Sequence, residues 1–94
     1  MEIQELATKL GFDTGVMNGD KFVITLKDSD EYAKAYTKLD ASELTEFDGD
    51  ASLTSEHNGE MNYVADGFDI TLSGDFDKDI YSVVIEPAEG KHGA

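Results

Sequence analysis

Apolar residues fall first at helical spacing. Ile3, Leu6, Ala7 and Leu10 recur at i, i+3, i+4 and i+7, and Gly11 follows, which predicts a short helix over residues 2–10. Asn18-Gly19 is a strong short-range hairpin signal, and Phe22, Ile24 and Leu26 alternate after it. The strand before that turn, about residues 13–17, is the weaker partner because it contains Gly15. Asp28-Ser29-Asp30-Glu31 reads as a helix start, with a capping side chain and acids in the first turn. Tyr32, Ala33, Tyr36 and Leu39 are the expected apolar stripe of that second helix, with Lys34 and Lys38 elsewhere on its surface.

Beyond residue 50 the period changes from 3.6 to 2. His57-Asn58-Gly59-Glu60 and Asp66-Gly67 are both candidate type I′ turns. A two-residue turn at Asp66-Gly67 pairs Ala65 with Phe68, Tyr63 with Ile70 and Met61 with Leu72, all six on one face. Glu60, Asn62, Asp69, Thr71 and Ser73 then line the other face, where Val64 is the apolar exception. A last strand is expected over residues 80–86, ending at Pro87, with a flexible tail over 88–94. Residues 41–50 fit either a strand or an acidic loop. The expected fold is α+β: two short helices and a β-hairpin with a C-terminal three- to four-stranded antiparallel meander, in one domain over residues 1–87.

Composition narrows what such a domain does. Its 94 residues include no cysteine, which removes disulfides, thiolate metal sites and cysteine nucleophiles. The longest apolar runs are of the length of Val83-Val84-Ile85, far short of the roughly 20 residues a membrane-spanning helix needs. Acids at Glu2 and Glu5 stand where a secretory leader carries lysine or arginine, so a soluble, cytoplasmic protein is expected. Net charge is −14, from 21 acids against seven basic residues, all of them lysine. Without arginine the chain lacks the bidentate fork that grips phosphate, and its sign repels nucleic acid and anionic membranes. A basic protein surface is the natural counterpart.

The charge is unevenly placed. Residues 1–40 hold eight acids and five lysines, whereas residues 41–90 hold 13 acids and the single lysine Lys78. A small domain needs a net charge of only about 2–8 in magnitude to stay soluble, and self-repulsion beyond that opposes the compact state. Asp75, Asp77 and Asp79, if extended, would make an anionic row with about 6.6–6.8 Å between alternate residues. Asp48, Asp50, Glu56, Glu60, Asp66 and Asp69 would add carboxylates from neighbouring turns and strands. Such an array imitates the outline of a phosphate backbone and fits a lysine- and arginine-lined channel. The plainer alternative is a set of solvated acidic loops.

Other chemistries fit less well. His57 and His92 have no recognisable partner arrangement, no phosphate-cradling motif is present, and no catalytic residue or cofactor is expected. Asp75, Asp77 and Asp79 occupy positions 1, 3 and 5 of an EF-hand frame, with Glu86 at position 12. Ile80 stands where that frame needs glycine, and the following residues read as strand instead of helix, which leaves a weak, nonstandard cation site as the alternative.

In size, charge and mixed α/β hairpin pattern the chain resembles the small acidic inhibitors encoded by phages and mobile elements, among them anti-CRISPR proteins and antirestriction DNA mimics. The resemblance is one of overall character across the whole chain. It implies that Asp75, Asp77, Asp79 and nearby acids engage the basic surface where a Cas nuclease reads its PAM, a surface built on arginines and a positive channel. The leading expectation is therefore a monomeric inhibitor that blocks the DNA site of a nucleic-acid-processing enzyme, a Cas nuclease first. An immunity protein or antitoxin against a basic nuclease toxin uses the same physics. A calcium-binding module and a structural virion domain are the alternatives of another class.

Overall fold

Leu6, Ala7 and Leu10 give the first helix, α1 (Ile3–Leu10), a buried face, and Gly11 ends it in the left-handed conformation at φ 96°. The Gly11 N–H donates to the Thr8 carbonyl and the Phe12 N–H to the Ala7 carbonyl, so the end of the helix is satisfied by its own chain. The computed structural model describes residues 2–12, 14–55 and 58–87, leaving aside the side chains of 47–55 and 58.

A hairpin forms where Asn18-Gly19 signals one, joining β1 (Val16–Asn18) to β2 (Lys21–Leu26), but Asn18 lies opposite Lys21, so the two turn residues are Gly19-Asp20 and the register is one residue on from the expected one. Gly15, just before β1, sits at φ 146° with the Phe22 ring against its Cα. A Cβ there would lie 2.6 Å from that ring. Only glycine lets the chain pass so close.

Asp28 caps the second helix, α2 (Ser29–Ala41): its Oδ1 accepts from the Glu31 N–H at 3.0 Å, and Glu31 Oε1 accepts from the Lys27 N–H at 2.8 Å. This is a reciprocal arrangement in the manner of a capping box. The buried stripe, however, is not the expected one. Tyr32, Ala35 and Leu39 turn inward, whereas Ala33 and Tyr36 are exposed. Both sets have helical spacing, and the docking of α2 on the sheet chooses between them. Lys38 ties α2 to the end of α1 by donating from Nζ to the Gly11 carbonyl at 2.8 Å, with its charge 5.1 Å from the centre of the Phe12 ring.

Residues 41–50 divide between the end of α2 and a strand, β3 (Glu46–Ser55). It leads into β4 (Asn58–Ala65), β5 (Phe68–Asp75) and β6 (Ile80–Pro87), a four-stranded antiparallel meander. The Asp66-Gly67 turn has positive φ at both residues, 48° and 83°, as a type I′ turn requires. Its register pairs Ala65 with Phe68, Tyr63 with Ile70 and Met61 with Leu72. Asn58-Gly59 does not make the turn expected of it. Both residues belong to β4, and the pairing closes at Ser55 opposite Asn58, so the connecting residues 56 and 57 lie outside those described. The tail over 88–94 lies outside them too.

The hairpin is not a separate unit. β2 pairs with β6, Phe22 opposite Ile85 and Leu26 opposite Tyr81, which makes one sheet in the order β1-β2-β6-β5-β4-β3. Both helices cover one face of it, burying Leu6, Leu39, Ile24, Tyr63, Ile70, Leu72, Val83 and Ile85 in a common core. Among the described residues no helix covers the other face.

The inward face of α2 is testable by thermal unfolding followed by circular dichroism. Leu39→Ala should cost about 2–5 kcal/mol, since the residue is fully buried. Asp28→Ala should cost about 0.5–2 kcal/mol through the lost cap. Ala33→Gln should change stability by less than about 0.5 kcal/mol, because the side chain points to solvent.

Candidate functional site

Asp75, Asp77 and Asp79 do not form an extended row. They belong to the turn between β5 and β6, which closes with Asp75 opposite Ile80. Asp75 Oδ1 accepts from the N–H groups of Asp77 and Lys78, both at 3.1 Å, and Asp79 takes the left-handed conformation at φ 57°. A carboxylate that binds the backbone two and three residues ahead folds the chain back on itself, so the even spacing of a strand is lost.

The first turn of α2 meets this loop. The rings of Tyr32, Phe76 and Tyr81 form a trio with centroids 5.4–5.6 Å apart: Tyr32 to Phe76 at 79°, Phe76 to Tyr81 at 60° and Tyr32 to Tyr81 at 52°. Such edge-on and tilted contacts are the favoured geometry for aromatic pairs. They bring the start of α2 against this turn, where its cap Asp28 joins Asp75 and Asp79 around Tyr81, and the nearby lysines in sequence are Lys27 and Lys78. The electrostatics report the convergence. The Tyr81 phenol is pushed up from its usual value by burial, then by its hydrogen bond with Asp79 and by the negative charges of Asp79, Asp28 and Asp75. Tyr32 is pushed up by burial alone. The positive end of the α2 macrodipole tempers the repulsion among the acids of its first turn.

The remaining candidate acids are scattered by the sheet. Glu60 lies on β4, on the face without helices, near the same end as the β5–β6 turn. Asp66 sits in the β4–β5 turn at the far end of the hairpin, about 24 Å from Asp75 along eight residues of strand. Asp69 is on the same face as Glu60 but is only 6% exposed, set between Val64 and Glu86. Asp48 and Asp50 are in β3 at a break in its register between Phe47 and Ala51, and Glu56 and the histidines His57 and His92 lie outside the described residues.

The EF-hand frame is not built. Residues 80–87 are strand, and Glu86 stands at the opposite end of β6 from Asp79, ion-paired at 3.2 Å with Lys21. Six strand steps of about 3.4 Å keep it out of reach of the turn. Among the described residues no group of three histidine, aspartate or glutamate side chains is placed to hold a metal ion, Asp75, Asp77 and Asp79 included. Among the same residues no helix is long and apolar enough to cross a membrane.

Comparison of the chain with protein-family models, with curated proteins and with solved structures found no match. Asp28, Tyr32, Phe76 and Tyr81 were not among the expected site residues. Asp28 reads in sequence as a helix cap and nothing else, and no local signal brings it to a turn some fifty residues away.

The tyrosines supply a solution test of this packing. Tyr63, buried under α2, is pushed up to about 12 by burial first and then by the charge of Asp40. Its folded value exceeds the unfolded value of 10.0, so above pH 10 the unfolded state releases the proton first and stability falls as pH climbs towards 12. Denaturant unfolding at pH 8, 10 and 11.5 should show that decline, and Tyr63→Phe should lessen it, leaving the part that Tyr32 and Tyr81 contribute.

Proposed function

We propose that this protein is an inhibitor that binds the basic nucleic-acid site of a nucleic-acid-processing enzyme, a Cas nuclease first, and occupies it with acidic side chains. One observation carries the reading: the β5–β6 turn and the cap of α2 set Asp28, Asp75 and Asp79 around Tyr81, with Asp77 in the same turn, on a framework stiffened by the Tyr32–Phe76–Tyr81 trio. A fixed anionic cluster loses little conformational freedom on binding and steers towards a positive channel from a distance. The net charge of −14 and the absence of arginine support a protein counterpart over nucleic acid itself.

The turn presents its acids as a knot instead of a row. A knot of this kind suits a compact arginine cluster, such as the one that reads two adjacent base pairs, better than a long groove. The same chemistry would neutralise a basic nuclease toxin, which makes that the second class of target to test.

The measurement is DNA binding by a guide-loaded Cas nuclease, a restriction enzyme and a basic nuclease toxin, each with and without this protein. Competition with one of them is expected, weakening about tenfold or more when Asp75, Asp77 and Asp79 are changed together to Asn, and fading as salt rises. No competition with any of the three would sink the proposal. Competition untouched by the triple change would move the contact to other acids, Asp48 and Asp50 in β3 foremost.

A further inference from the structure

The face of the sheet opposite the helices has its own composition. Cross-strand register puts Val16, Val23 and Val84 side by side across β1, β2 and β6, with Thr71 and Asn62 continuing the row, where the Thr71 hydroxyl donates to Asn62 Oδ1 at 3.1 Å. The next row towards the β5–β6 turn is Thr25, Ser82, Ser73 and Glu60. Beyond it, Ile80 stands opposite Asp75. Here the face dips into a shallow depression of about 250 Å³ lined by Glu60, Ser73, Asp75, Ile80 and Ser82.

Two features of this face are not explained by folding. Val16 is 67% exposed and Ile80 58% exposed, on strands where threonine or lysine would serve the sheet equally well and keep a small acidic protein more soluble. The charge is also one-sided: Glu60, Asp69, Asp75 and Glu86 against Lys21, which is paired with Glu86. Valine and isoleucine interleaved with hydroxyls and carboxylates make a surface that neither water nor a purely charged partner matches.

We propose that this uncovered face is a second docking surface, and that it takes a basic segment of the partner protein that also carries aliphatic side chains. Lysine or arginine heads reach Glu60 and Asp75 at the depression, with the Ser73 and Ser82 hydroxyls as further acceptors, while aliphatic groups cover Ile80 and the Val23–Val84 pair. Charge complementarity selects this occupant over a second copy of the chain, whose face would bring the same carboxylates together. The inference rests on the reading of a basic partner and adds to it a division of labour. The acidic turn governs encounter and salt dependence, and the aliphatic contacts on the sheet face govern residence, because desolvated apolar anchors act mainly on dissociation.

The test titrates the isotope-labelled full chain, followed by amide NMR, with two peptides of equal lysine number. One is lysine alone, and the other has leucine interspersed. At 0.5 M salt, where charges are screened within about 4 Å, the lysine–leucine peptide should still shift the amides of Gly59, Glu60, Ser73, Gly74 and Ile80–Ser82, and the lysine peptide should not. Ile80→Ser should weaken the lysine–leucine peptide about fivefold to tenfold and leave the lysine peptide at low salt unchanged. Ile80→Thr, which keeps the β-branch, guards against a loss due to strand distortion and should weaken it too. Shifts confined to residues 28–32 and 76–79, or indifference to both Ile80 changes, would overturn the sheet-face site and leave the acidic turn standing. If neither peptide shifts any amide at low salt, the reading of a basic partner itself falls. Shifts that grow with protein concentration in the absence of peptide would make the face a self-association surface and overturn the proposed occupant.

Discussion

The pairing of β2 with β6 is the contact on which the rest of the molecule depends. It joins a hairpin from the first third of the chain to the last strand of the meander, Phe22 against Ile85 and Ile24 against Val83. Without it the two-stranded hairpin would be marginal by itself, and α2, which follows directly from β2, would have no sheet to cover. With it, α1 and α2 lie on one surface, and Leu6 and Leu39 are completely buried above Ile70, Leu72 and Ile85. One face of the sheet is thereby committed to the core and the other to solvent.

That commitment organises the charge. Carboxylates cannot enter the apolar layer under the helices, so they collect where the chain turns and on the uncovered face. Asp75 is a structural acid as well as a charged one, because its Oδ1 closes the β5–β6 turn. Asp28 is likewise a helix cap before it is part of an anionic cluster. Each therefore offsets some of the repulsion it creates with backbone hydrogen bonds. The Tyr32–Phe76–Tyr81 trio binds the two acidic segments together, leaving Phe76 44% exposed among aspartates.

The two surfaces proposed to bind differ in physical character. The acidic turn acts through field and is sensitive to salt. The uncovered sheet face mixes carboxylates and hydroxyls with valine and isoleucine, and its contribution would be short in range. A partner that presents both a compact basic cluster and an aliphatic neighbourhood would satisfy both at once.

Much of the architecture was legible in local patterns. The register of β4 on β5 followed from Asp66-Gly67, since a type I′ turn and a two-residue period leave a single pairing that puts the apolar residues, Val64 excepted, on one side. The α2 cap and the presence of a hairpin near Gly19, though not its exact turn residues, were legible for the same reason: both are decided by residues within a few positions of each other. The inward stripe of α2 was not. Tyr32-Ala33-Tyr36-Leu39 and Tyr32-Ala35-Leu39 are both helical patterns, and the sheet below chose the second. Asn58-Gly59 had the composition of a turn but was drawn into β4 by pairing on both sides, with Leu53 and with Gly74. By itself, then, the sequence determined both helices, the hairpin strand β2, the pairing of β4 with β5 and the concentration of charge after residue 40, all of which arise from short-range stereochemistry and counting. Which acids stand together was decided by tertiary structure alone. Asp28 stands with Asp75 and Asp79 around Tyr81, while Asp66 and Glu86 are carried to the far end, because proximity there depends on how β2, α2 and β6 pack.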